Sequence, residues 1–138
     1  MFERLRFARY ALRFERAFRD DNWDRVKECF HAEATYTIAG AGASYNGETR
    51  GPDAIVALFK RMLDDVDRKF DKRIPRPAGL PRVKGGELIL PWKARYVKAG
   101  DSMWLTGESR CRFSGGKIIE LRDTMVTDEV ARWVAMVA

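Results

Sequence analysis

The sequence predicts an α+β fold, with helices packed on a curved, mainly antiparallel sheet, and three observations carry that expectation. Helix-period apolar stripes fill most of the first half of the chain. Strand-period alternation, broken by glycine turns, fills the second half. At 138 residues, with 46% hydrophobic and 12% aromatic side chains, residues 1–138 make one ordered domain with one core. Helices followed by a meander segregate to one face of the sheet.

Residues 2–19 form the first helix, because Phe7, Ala11, Phe14 and Phe18 recur at spacings of three and four. Asp20-Asp21-Asn22 offers an N-cap for a short second helix over 23–30, with Trp23, Val26 and Phe30 on one side. Thr35-Tyr36-Thr37-Ile38 is β-branched and aromatic, and reads as a strand. Gly40-Ala41-Gly42-Ala43-Ser44 is a loop, lacking the Lys-Ser/Thr ending of a phosphate cradle. Gly51-Pro52 opens a third helix with proline at its favoured first position, and Ile55, Phe59, Met62, Val66 and Phe70 give it an apolar face. Pro75, Pro77 and Pro81 make residues 74–83 an edge strand or a loop. Strands follow over 88–97, 103–113 and 117–126, joined by Ala99-Gly100-Asp101 and Ser114-Gly115-Gly116. Val130, Trp133 and Val137 mark a terminal helix over 129–137.

Composition removes several classes of function. No apolar run approaches the ~20 residues of a membrane span, and no stretch is laid out as a secretory signal. Cys29 and Cys111 are too few and too distant for a metal knuckle or disulfide scaffold, so the expected compartment is the cytoplasm. His31 is the single histidine, which leaves little material for a metal centre or a Ser-His-Asp arrangement; no metal and no cofactor are expected. The net charge is +6, and Arg6, Arg9, Arg13 and Arg16 line one face of the first helix. Such a row can meet membranes, nucleic acid or import machinery, or be the solvated back of a core helix. Glu3 and Glu15 interrupt it, and no base-reading motif accompanies it, so specific nucleic-acid binding is not expected.

Asp123 is the chemically suggestive residue. It shares strand parity with Ile119, Leu121 and Met125, so an interior face there would hold a carboxylate among apolar neighbours. Burial disfavours the charged form and raises a carboxyl pKa, which makes an Asp usable as a base or acid near neutrality. An Asp near a strand end, solvated or paired with Arg122, is the other reading.

Across nearly the whole chain the ordered landmarks resemble the nuclear transport factor 2-like superfamily, in its SnoaL-like and ketosteroid-isomerase-like branch. They are Asp21-Asn22-Trp23 with Phe30, Ala32-Glu33-Ala34-Thr35-Tyr36, Tyr45-Asn46-Gly47, Gly51-Pro52-Asp53-Ala54-Ile55 with Phe59, and Phe113-Ser114-Gly115-Gly116-Lys117-Ile118. The resemblance implies a cone-shaped fold of three N-terminal helices on a sheet that encloses an apolar cavity, and a homodimer. Of the ketosteroid-isomerase apparatus, the positions of the base, the oxyanion-binding Tyr and the second Asp fall on Ile38, Phe14 and Ser109, so that apparatus is missing. Limonene-epoxide-hydrolase-like members end with Trp-Arg-Asp on the last strand, here Leu121-Arg122-Asp123, and their Asp activates water. Their Arg-x-Asp on a central strand reads Lys93-Ala94-Arg95, without the carboxylate.

The resemblance and the alternation together place Trp92, Ala94, Tyr96, Leu105, Ser109, Cys111, Leu121, Asp123 and Met125 inward, with Tyr36 and Ile38 from the first strand. The expected site is Asp123 as catalytic base, with Tyr36, Trp92, Tyr96, Ser109, Met125, Phe14 and Phe59 against an apolar small-molecule ligand. Isomerase, cyclase, dehydratase and hydrolase chemistry all fit. A non-catalytic ligand binder fits too, as does an interaction or assembly domain whose pocket is vestigial and filled by Phe14, Phe18, Phe59 and Trp92. Trp104, Glu108, Arg110 and Arg112 share the outer parity and are the dimer-contact candidates.

Overall fold

In the computed structural model, which describes residues 2–138, the elements run α1 (Glu3–Asp20), α2 (Asp24–Lys27), β1 (Phe30–Ala39), β2 (Gly47–Arg50) and α3 (Pro52–Asp65). A short 3-10 turn (Asp67–Lys69), β3 (Lys72–Pro77), β4 (Arg82–Lys84), β5 (Glu87–Lys98), β6 (Asp101–Ser114), β7 (Lys117–Met125) and α4 (Thr127–Ala135) complete the chain. The sheet order is β2-β1-β7-β6-β5-β3, with β4 paired to β5. Every pairing is antiparallel except β1 with β7, which is parallel. The fold is the expected α+β layout with a mixed, open sheet.

Several elements are explained by local chemistry. α1 ends where Asp21 takes a left-handed conformation (φ 55°) and its N–H bonds Ala17 O, which satisfies a terminal carbonyl. α3 starts at Pro52 after Gly51, whose φ of +85° suits only glycine without strain. The second helix is only four residues long, because β1 begins at Phe30 rather than at Thr35. The proline-bearing segment splits into β3 at the sheet edge and β4, where missing backbone donors are tolerated. β2, beyond the Tyr45-Asn46-Gly47 landmark, is a strand that the sequence pattern leaves unmarked.

One core lies between α1, α3 and the β1–β7–β6 part of the sheet, with Phe7, Tyr10, Phe30, Tyr36, Ile55 and Phe59 among its buried side chains. A second, around Tyr96, Met103, Leu105 and Trp133, joins the far end of β5 and β6 to α4. Inward parity is as expected for Ala94, Tyr96, Leu105, Cys111 and Leu121, each 4% exposed or less, and for Ser109. At the start of β7, however, Ile118 and not Ile119 is buried, because the β6–β7 register shifts between Arg112 and Phe113.

Candidate functional site

Between α1, α3 and the concave sheet face lies a cavity of about 540 Å³, lined mostly by apolar side chains. Exposed Arg4, Ala8 and Leu12 of α1 and Pro75, Arg76 and Pro77 of β3 rim it. Arg4 Nη2 donates to Pro81 O at 3.2 Å and ties the helix to the segment after β3. Phe14, Tyr36, Phe59, Trp92, Tyr96, Ser109, Asp123 and Met125 all line this space.

Asp123 is positioned by register. It sits opposite Ser109 on β6 and beside Ile38 on parallel β1. Ser109 Oγ donates to Asp123 Oδ1 at 2.6 Å, and Tyr36 OH donates to Oδ2 at 2.7 Å. Among the described residues no cation pairs with it. Burial pushes its carboxyl above the ordinary Asp range, and the two hydroxyl donors partly oppose that rise. Arg122, of opposite parity, lies on the outer face within 3.5 Å of Glu87 Oε2.

Tyr10, which the sequence reading did not single out, also lines the cavity. Its hydroxyl has no hydrogen-bond partner among the described residues. Burial, and then the negative charge of Asp123, hold its pKa well above that of a free tyrosine, so it stays a proton donor. Tyr10 stands one helical turn before Phe14, whose ring it meets at 6.3 Å.

A second polar cluster lies against the same space. Asp67, 6% exposed, accepts from Arg73 Nε at 2.9 Å and from Tyr96 OH at 2.6 Å. Arg73 Nη1 donates to both carboxylate oxygens of Glu15, at 2.5 and 2.7 Å. Glu15 therefore belongs to the interior and not to the arginine row of α1. Its spacing was the available signal, four after Ala11 and three before Phe18, which is on the apolar stripe. Burial raises the Asp67 carboxyl despite the guanidinium beside it. Arg73 was hidden by its proline-rich surroundings, and Asp67 by the helix ending at Asp65, which rotates the following residues off the α-helical register.

Cys111 is fully buried, and burial pushes its thiol far above its usual range, so it packs without reacting. His31 Nδ1 accepts a hydrogen bond from Glu33 N at 2.9 Å, a local turn contact. Among the described residues no group of acidic, His or Cys side chains is arranged to hold a metal ion. No helix is long and apolar enough to cross a membrane.

The profile of the SnoaL-like domain matches residues 11–121. The chain belongs to the SnoaL-like family. Among solved structures, a nuclear transport factor 2-like protein of unknown function from Burkholderia pseudomallei is 18% identical, with a TM-score of 0.71 over 94% of this chain and 97% of that one. TerC, co-crystallised with polyporic acid, is 13% identical, with a TM-score of 0.71 over 91% and 95%. An epoxide hydrolase of the limonene-epoxide-hydrolase-like type from M. tuberculosis is 14% identical, with a TM-score of 0.64 over 94% and 89%. At these identities the likeness is one of fold. No curated protein matches the sequence. Within this SnoaL-like fold, Ala94 is the inward residue between Lys93 and Arg95, and the carboxylates that line the cavity beside Asp123 are those of Glu15 and Asp67.

Proposed function

We propose that this SnoaL-like protein binds an apolar small molecule in the cavity and acts on it by cofactor-independent acid–base chemistry, as an isomerase, cyclase, dehydratase or hydrolase, with Asp123 as general base. A cytoplasmic homodimer is the form we assign to it. One observation carries the reading: a desolvated carboxylate on the wall of an apolar cavity, oriented by two hydroxyls and neutralised by no cation.

Each Asp123 oxygen accepts one protein hydrogen bond, which leaves lone pairs free to take a proton from a bound C–H or from water. The raised pKa strengthens it as a base near pH 7. Tyr10 is the available donor to an oxygen that gains negative charge. Phe14, Phe59, Trp92 and Met125 supply apolar contact, and Tyr96 belongs to the second polar cluster.

A packing role for the rings is the second reading. Phe59 contacts the rings of Tyr10, Phe14, Trp23, Phe30 and Tyr36, as a filled pocket requires. The remaining volume nevertheless falls within the ~300–1,000 Å³ of small-molecule sites, which favours a ligand.

The test is proton abstraction from a model ketone. With β-tetralone in deuterated buffer, the wild type should accelerate C1–H exchange, followed by NMR. Asp123→Asn should cut that rate by about 10²–10⁴-fold while changing ketone affinity only a few-fold. Wild-type exchange no faster than buffer between pH 5 and 9 would remove Asp123 as a base.

A further inference from the structure

The cluster of Glu15, Asp67, Arg73 and Tyr96 has no part in the acid–base step, yet it lines the same cavity. Burying a guanidinium and the Asp67 carboxylate, with Glu15 half-buried beside them, is expensive, and a well-packed apolar replacement is often as stable or more so. Fold stability alone is a weak reason for such a cluster. Its hydrogen bonding is also incomplete. Nε of Arg73 serves Asp67 and Nη1 serves Glu15, while Nη2 has no acceptor among the described residues. The side chain is 13% exposed, and Phe18 packs against the guanidinium at 5.1 Å. It is fixed at both of its other nitrogens, so the donors at Nη2 are pre-oriented rather than free to swing.

The two polar clusters sit at different levels of the sheet, and Tyr10 and Tyr36 stand between them, within reach of carboxylates on both sides. Ser109 faces Leu90 on β5, and Tyr96 is six residues further along that strand, about 20 Å of backbone. A molecule filling the cavity thus meets a base at one end and a held guanidinium at the other.

The charge of that second end restricts what it accepts. Arg73 already faces two carboxylates, so an anionic ligand group would enter a surplus of negative charge. An uncharged oxygen acceptor meets no such penalty and takes the N–H that a hydrocarbon would leave unmet.

The geometry points to Arg73, held by Glu15 and Asp67, as a second anchor that selects elongated apolar ligands bearing an uncharged oxygen acceptor, such as a ketone or quinone carbonyl, at the end away from Asp123. This inference rests on the cavity being a ligand site, and it does not depend on Asp123 being a base.

Three naphthalenes of similar size separate the possibilities: 2-acetylnaphthalene, 2-isopropylnaphthalene and 2-naphthoate. Their affinities are measured by calorimetry for the wild type, for Asp123→Asn and for the double variant Arg73→Met with Glu15→Gln, which removes one charge of each sign. The ketone-to-hydrocarbon affinity ratio should fall about tenfold in the double variant and hold in Asp123→Asn. 2-Naphthoate should bind the wild type more weakly than the ketone. Independently of any variant, the Arg73 guanidinium ¹⁵N signals of the wild type should shift on adding ketone and stay still with hydrocarbon. If the double variant does not fold, that measurement decides alone. Unmoved Arg73 signals, an unchanged ratio, tighter binding of 2-naphthoate, or loss of the ketone preference in Asp123→Asn would each overturn the anchor. Binding of none of the three would overturn the ligand-site reading beneath it, whereas failed C1–H exchange with intact ketone selection would overturn only the base.

Discussion

Asp123 is a charge held in a place that penalises charge, so its chemistry and its thermodynamics are linked. Ser109 and Tyr36 stabilise the ionised form, but desolvation is the larger influence and lifts the carboxyl above the ordinary Asp range. Since the folded-state pKa lies above the ~3.9 of an unfolded Asp, the folded protein binds more protons between those two values. Stability contributed by this group therefore falls as pH rises through that window, and above the folded pKa the full cost is present. Asp123→Asn keeps the shape and removes the charge. It should raise unfolding stability at pH 7 by about 1 kcal/mol, the direction common when a functional site is relieved of strain. The gain should shrink as pH falls toward 4 and the wild-type carboxyl takes up its proton. Urea titrations at the two pH values read this directly. A variant less stable than wild type at pH 7 would mean that the carboxylate is a net structural asset.

At the scale of elements, the cavity wall depends on a gap in β6. Gly107 shares inward parity with Leu105 and Ser109 and pairs with Trp92 on β5. A Cβ there would stand 2.4 Å from Cζ2 of the Trp92 ring and 2.7 Å from Thr124 O, so the indole lies in space that only glycine leaves open. Gly107→Ala should push the ring into the cavity, cost about 1–3 kcal/mol by overpacking, and weaken ligand binding together with stability. Thermal unfolding and Trp fluorescence check both effects; unchanged fluorescence and melting would show that the ring does not rest there. Trp92 and Gly107 also show how much the sequence reveals. Alternation in β5, β6 and β7 made the inward side chains legible, and one parity decision fixed Tyr96, Ser109 and Asp123 together. Glycine carries no parity signal, so the seat of Trp92 was invisible. Glu15, Asp67 and Arg73 were missed for a related reason: they are charged residues on buried faces, and hydrophobic periodicity counts each of them as solvent. Only contacts between α1, the 3-10 turn and the edge strand bring them together, and those elements are distant in sequence.

For the whole molecule, the sheet has helices over one face, and the other face is where the proposed dimer contact would lie. β6 presents Trp104, Glu108, Arg110 and Arg112 outward, and Trp104 is 42% exposed with Lys93 Nζ 4.9 Å from its ring centre. Glu87, 6% exposed, is approached by Arg110, Arg112 and Arg122, so this face mixes an aromatic with arginines and acids in close alternation. Aromatic and Arg side chains are enriched at interfaces, and a face carrying both charge signs can complement itself about a two-fold axis. The +6 net charge is offset in part of this face, because Arg110, Arg112 and Arg122 are already matched by Glu87, Glu108 and Glu120. Sedimentation equilibrium at about 10–100 μM, a range suited to interfaces of ordinary size, should give close to twice the 15.9 kDa chain mass. Trp104→Glu removes a large aromatic contact and sets an acid beside Lys93 and Arg95 of β5 instead; it should weaken association at least tenfold, as loss of a central Trp typically does. The variant should leave the cavity's ketone affinity unchanged, since Trp104 points away from it. A wild-type chain that sediments as a monomer throughout that range, with Trp104 emission typical of full water exposure, would mean that this face of the sheet is simply solvated.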